Sequence, residues 1–269
     1  MSEEQYDWAA LGIDTTKPSI ARTYDVVLRG KDNFEVDRAF VAEIVKIIPE
    51  IYDVATYNRE VLGRGVRYLA GAAGLRQFLD IGSGLPTVQN THQVAQATAP
   101  GARVVYIDND PIVLAHGRAL LAENASTTVV TADIREPEKI LAHEDVRRLI
   151  DFDQPVAVLL VGILHHLHDD EGPQRIVETL MDAVPSGSHL FVTAFCASSQ
   201  EAIDAEVQYQ GLLGTGRFRT PEEITRYFDG LELLEPGLVP LPLWRPDEAV
   251  PDELTVGQRL MYGGIARKP

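Results

Sequence analysis

One cysteine, Cys196, in 269 residues excludes an internal disulfide and any zinc site built from cysteines. It ends an apolar run and reads as core packing. Long apolar runs are also missing. The longest, 155–164, is far short of the ~20 residues that a membrane-crossing helix needs. The first residues are acidic and have neither the basic region nor the apolar core of a signal peptide, so a cytoplasmic protein is expected. Positive charge is scarce, with 24 Lys and Arg against 40 Asp and Glu and a formal charge of −16. Such a surface repels phosphate backbones and anionic lipid. The expected partner is a small-molecule substrate, with no nucleic acid and no membrane. Repeats and low-complexity tracts are absent.

What the chain does contain is alternation. Its length and 45% hydrophobic content fit one large α/β domain with additions. Phe40, Val41, Ile44, Ile47 and Ile48 share one face of a helix beginning at Asp37 as N-cap and ending at Pro49. Ile51, Val54, Val61, Leu62, Val66 and Leu69 place a second helix up to Gly71–Gly74. Residues 1–75 are therefore expected to form a helical extension, or lid, ahead of a domain at 76–269. From there, strands are expected at 76–81, 102–107, 127–131, 155–161 and 189–195, with late runs at 231–239 and 259–266 making seven. Asp110-Pro111, Glu136-Pro137 and the capping box Thr220-Pro221-Glu222-Glu223 start helices between them. The alternation implies right-handed crossovers and a mostly parallel, Rossmann-like α/β sheet.

The run Phe78-Leu79-Asp80-Ile81-Gly82-Ser83-Gly84 breaks from an apolar strand into a glycine turn, and a second apolar run ends at Asp108. This arrangement holds an adenosine-bearing cofactor, with the second acidic residue on the ribose hydroxyls. Asp80 decides which cofactor. A carboxylate at that strand end would repel a diphosphate, whereas S-adenosylmethionine carries an ammonium and a sulfonium. The third glycine of the dinucleotide fingerprint is replaced by Thr87. A nicotinamide oxidoreductase is the disfavoured competitor.

The chain resembles a bacterial S-adenosyl methyltransferase family, mostly of unassigned substrate, over nearly its whole length. The resemblance is carried by Ile13-Asp14-Thr15-Thr16-Lys17-Pro18-Ser19-Ile20-Ala21-Arg22-Thr23-Tyr24-Asp25, by Leu28-Arg29-Gly30-Lys31-Asp32-Asn33-Phe34, by the segment from Gln77 to Thr87, and by that from Arg103 to Pro111. It implies a class I methyltransferase fold, seven strands with the last inserted antiparallel, and S-adenosylmethionine as cofactor. On that fold Asp80, Gly82, Ser83, Gly84, Asp108, Asn109 and Gly162 are expected around the cofactor. Asp133 and Ile134 are expected at its adenine, and Tyr24, Lys31 and Asn33 as a lid over it. The Asn/Asp-Pro-Pro-Tyr/Phe tetrapeptide of many amino-methylating enzymes of nucleic acids is absent.

His165, His166 and His168, followed by Asp169-Asp170, leave the carboxyl end of the fourth strand, where ligands bind in open parallel sheets. Adjacent histidines cannot both aim at one centre from a strand, so no metal is expected, and the aspartates read as the cap of a helix near Pro173. His165 or His166 reads either as a base for a hydroxyl or amine nucleophile or as a packing residue shaping the pocket. Tyr209, Arg217 and Arg219 occupy the usual substrate roof. The expected function is methyl transfer to a small-molecule oxygen or nitrogen, with a non-catalytic cofactor sensor as the alternative.

Overall fold

The computed structural model describes residues 12–86, 89–121 and 125–269; Thr87 lies outside them. Three helices come first: α1 (Ile20–Val27), α2 (Glu35–Ile47) and α3 (Ile51–Ala70). Then strand and helix alternate: β1 (Gln77–Ile81), α4 (Thr91–Thr98), β2 (Arg103–Asp108), α5 (Pro111–Leu121), β3 (Thr127–Thr131), α6 (Pro137–Ala142), α7 (Glu144–Leu149), β4 (Ala157–Val161), α8 (Pro173–Asp182) and β5 (His189–Phe195). The chain ends with α9 (Gln200–Gln208), α10 (Pro221–Thr225), β6 (Glu232–Leu233), β7 (Val239–Pro240), α11 (Val256–Arg259) and β8 (Met261–Arg267).

The sheet order is β3-β2-β1-β4-β5-β8-β6, with β1 to β5 parallel and β8 antiparallel to β5. The run at 231–239 is two strands, not one. Pro236 and Gly237 break it, and the pieces β6 and β7 pair with successive stretches of β8. The edge position expected for one strand is thus filled by two.

Burial on both faces explains why the parallel strands read as unbroken apolar runs. Phe78, Val104, Leu159 and Phe191 face one core with Val61, Val66 and Leu69 of α3. Leu79, Val105, Val158 and Leu190 face the other, with Ile140, Val146, Ile176 and Leu180. At Gly65 a Cβ would stand 2.3 Å from the Phe191 ring, so α3 lies close on the sheet. Among the described residues no helix is long and apolar enough to cross a membrane.

Three local expectations are corrected. The helix expected at Asp37 begins two residues earlier, and Asp37 sits in its first turn, accepting from the Phe34 amide at 2.8 Å. Residues 20–27, which carry no clear periodicity, form α1, capped by the Ser19 hydroxyl. Asp169 and Asp170 do not cap α8, which starts after Gly172. They lie in a separate 3-10 turn, where Asp169 binds Arg217 and Arg219.

Candidate active site

Strands β2 and β3 succeed β1 on one side, and β4 and β5 extend the sheet on the other. The chain therefore reverses direction between β1 and β4, and a crevice opens above their carboxyl ends. A cavity of about 580 Å³ occupies it, within the ~300–1,000 Å³ typical of ligand sites.

Asp80, near the end of β1, is 5% exposed and lines this cavity. Its Oδ2 accepts the Thr91 hydroxyl at 2.7 Å. Burial pushes its pKa up to about 6; the Thr91 hydrogen bond and Arg59 pull against that, and Asp108 adds to it. Asp108 ends β2, and its two oxygens accept the backbone amides of Gly84 and Asp110, at 2.8 and 2.9 Å. Burial raises it as well, and those amides oppose the rise.

Gly82 and Gly84 have φ of +73° and +65°, in the region that favours glycine. At Gly82 a Cβ would also strike Ile163 at 2.5 Å, while at Gly84 it would meet open space. The first glycine thus serves packing against the β4 loop, and the second leaves room beside Asp108.

Ser83, Asn109, Asp133, Ile134, Gly162 and Tyr24 also line the cavity. Asp133 is engaged by Arg135, whose amide reaches Oδ1 at 2.9 Å and whose guanidinium reaches Oδ2 at 3.1 Å. Lys31 and Asn33 are not among the residues that line it. Asn33 donates to Asp25 at 2.7 Å, closing its own loop, and Lys31 is exposed. Arg217 and Arg219 are likewise not part of the wall. Arg217 bridges Asp169 and Glu223, and Arg219 is buried on the carbonyls of Leu164 and Leu167. Tyr209 does line it.

The histidines separate by their partners. Nδ1 of His165 accepts the Phe195 amide at 3.2 Å, which leaves the proton on Nε2 and fixes the ring against Phe195. Nδ1 of His166 is buried without a partner, and its ring lines the cavity. Burial drives His165 well below its ordinary range and His166 down to about 3, so both are neutral. Among the described residues no three His, Cys, Asp or Glu side chains gather as metal ligands.

Asn58, Arg59 and Thr91 escaped the reading of the sequence. Asn58 lies on the apolar stripe of α3, four residues after Val54, and a polar residue at a core position is a signal that was available. Its amide donates to the Tyr24 hydroxyl at 3.0 Å, and its oxygen accepts from Thr193 at 2.7 Å, tying α1 to α3 and β5. Arg59 follows it and lines the cavity beside Asp80.

The sequence model of a family described as S-adenosyl methyltransferase matches residues 6–269. A Thermobifida fusca YX protein, provisionally assigned as a methyltransferase, is 54% identical over 97% of this chain and 99% of its own, with a TM-score of 0.94. A DUF574 family protein from Streptomyces avermitilis MA-4680 is 39% identical over 95% and 99%, at 0.91. An O-methyltransferase family 2 protein from Planctomyces limnophilus, in complex with apigenin, is 16% identical over 92% and 65%, at 0.50, a likeness of fold alone. No curated protein matches the chain.

Proposed function

The chain belongs to the S-adenosyl methyltransferase family, and from that premise we propose that it methylates an oxygen or nitrogen of a small molecule within the cavity above β1, β2 and β4. It is an S-adenosylmethionine-dependent methyltransferase. When bound, S-adenosylmethionine supplies an electrophilic methyl group on a sulfonium, together with an ammonium and two ribose hydroxyls.

The residues suit that group. Asp80, a buried carboxylate facing the cavity, calls for a cation and would repel a diphosphate. This single observation carries the assignment. Asp108, a carboxylate in the cavity wall, suits vicinal hydroxyls, and space is open at Gly84 beside it. We assign Asp80 to the ammonium, Asp108 to the ribose, and Asp133 with Ile134 to the adenine. We assign the described residues ahead of β1 to the cover, through Tyr24.

We assign His166, whose neutral ring lines the cavity, to the proton of a hydroxyl or amine nucleophile. His165 positions it. Their rings lie 4.3 Å apart, and His165 is clamped by its bond to β5. The remaining work is alignment and exclusion of water, worth up to ~7–11 kcal/mol for well-oriented reactants. The acidic surface supports a small molecule over nucleic acid as acceptor.

Calorimetric titration should give binding of S-adenosylmethionine and none of NADH. Incubation with methyl-labelled cofactor and a fractionated cell extract should place the label in the low-mass fraction, read by mass spectrometry. Label confined to RNA, DNA or protein would overturn the acceptor assignment.

A further inference from the structure

Among the described residues, four cationic side chains line the cavity: Lys17, Arg22, Arg59 and Arg135. Arg22 is closed on Asp37 at 2.8 Å and also donates to the Asp14 carbonyl. Arg135 is held by Asp133 at 3.1 Å and by Glu171 at 2.6 Å. Lys17 is exposed. Arg59 is half-buried, on α3, and its Nη2 donates to the Gln89 carbonyl at 2.9 Å, tying that helix to the turn after β1. With Asp80 it also borders a smaller recess of about 30 Å³ beside the glycine turn, shared with Ser83, Gly84 and Thr91. Burial raises the pKa of Asp80 and of Tyr24, and in both Arg59 acts against the rise.

Asp80 and Arg59 thus place opposite charges on one stretch of wall, and each is anchored by a neutral group. The Thr91 hydroxyl holds the carboxylate and the Gln89 carbonyl holds the guanidinium. A ligand group that meets both must carry both signs within a few ångströms. An α-amino acid does so, since its ammonium and its carboxylate stand on one carbon atom. The other carboxylates of the wall, Asp108 and Asp133, repel the anionic end and leave Arg59 as its partner.

Resting on the methyltransferase reading of the same cavity, we infer that Arg59 holds the carboxylate at the amino-acid end of S-adenosylmethionine, beside the Asp80 that meets its ammonium, and so makes the site selective for adenosyl compounds that keep that end whole. A guanidinium presents its N–H donors as a planar fork that matches a carboxylate. A carboxylate brought into the cavity without a counter-ion would lose its hydration for nothing in return. Without its carboxylate the same ligand brings only a cation, and Arg59 then repels it. Arg59 lies in the helical region ahead of the sheet. Recognition of the cofactor is therefore divided between the glycine turn, which is legible in the sequence, and a helix that shows no motif for it.

Titration calorimetry on the full chain tests this with S-adenosylhomocysteine, which carries both charges, S-adenosyl-3-thiopropylamine, which lacks the carboxylate, and 5′-methylthioadenosine, which lacks both. The unmutated protein should bind S-adenosylhomocysteine roughly tenfold or more tightly than the thiopropylamine. Arg59→Met should weaken S-adenosylhomocysteine by roughly tenfold or more and leave 5′-methylthioadenosine unchanged. The same variant should leave the thiopropylamine unchanged or bind it more tightly, because a like charge is gone from beside its ammonium. Arg59→Lys should recover part of the loss, and Lys17→Met should cause none. Equal losses for S-adenosylhomocysteine and 5′-methylthioadenosine in Arg59→Met, no loss at all, or a loss found in Lys17→Met instead would overturn the inference. Equal affinity of the unmutated protein for S-adenosylhomocysteine and the thiopropylamine would overturn it even if Arg59→Met does not fold. Failure of S-adenosylhomocysteine to bind the unmutated protein would instead bring down the reading beneath it, a separate result seen in the first titration.

Discussion

Asp80 holds a charge where the empty protein disfavours one. Its pKa in the fold is about 6, above the 3.8 of an unperturbed aspartate. A group raised in this way favours folding below the unfolded value, and that contribution is lost as pH rises through the folded one. Above pH ~6 the ionised carboxylate therefore costs the empty protein on the order of 1–3 kcal/mol. Asp80→Asn should raise the melting temperature of the ligand-free protein at pH 7.5 by a few degrees, leave it unchanged near pH 4, and abolish S-adenosylmethionine binding. Scanning calorimetry and titration read the two effects separately. In the unmutated protein, cofactor affinity should fall about tenfold per unit once pH drops well below 6, as Asp80 protonates. An affinity flat from pH 7 to 5 would remove Asp80 from the ammonium.

At the level of elements, two contacts govern how the cover and α3 meet the sheet. Gly65 lies inside α3, where helix propensity alone gives alanine an advantage of ~1 kcal/mol. The Phe191 ring, 2.3 Å from the position of that Cβ, reverses the sign, since overpacking costs ~1–3 kcal/mol. Gly65→Ala should unfold at lower denaturant concentration, and cofactor affinity should weaken with it because Asn58 and Arg59 ride on the same helix. The second contact is the pair Arg22–Asp37, with side chains 3% and 0% exposed, which joins α1 to α2. Asp37 also accepts the amides of Ser19 and Phe34. Asp37→Asn leaves a buried guanidinium without its counter-ion, a loss of about 3–5 kcal/mol. Protease cleavage near residues 12–35 should accelerate, while the sheet retains its hydrogen-exchange protection.

The molecule as a whole carries −16 charges, and much of its electrostatic energy is self-repulsion. Raising NaCl from ~20 to ~200 mM shortens the screening length to about 7–10 Å and should raise the melting temperature by a few degrees. A fall on adding salt would mean that local ion pairs such as Arg217–Asp169 and Arg135–Glu171 outweigh the net charge.

Strands carrying Asp80 and Asp108 at or near their carboxyl ends were legible because burial on both faces demands uninterrupted apolar residues, and a glycine turn follows Asp80 within a few positions. The Thr220 capping box was legible for the same reason: its hydrogen bonds join residues three apart. The roles of Lys31, Asn33, Arg217 and Arg219 were not, because each depends on which carboxylate or carbonyl lies nearest in space. Asp169, assigned locally to a helix cap, is captured instead by two arginines about 50 residues away. The sequence by itself determined the alternating fold and the glycine turn that follows Asp80, since these follow from periodicity and from short-range backbone geometry. The tertiary structure alone decided which histidine nitrogen is left unpaired, which residues line the cavity and how α3 reaches it. Those outcomes are contacts between segments far apart in the chain, and no local pattern encodes which partner arrives.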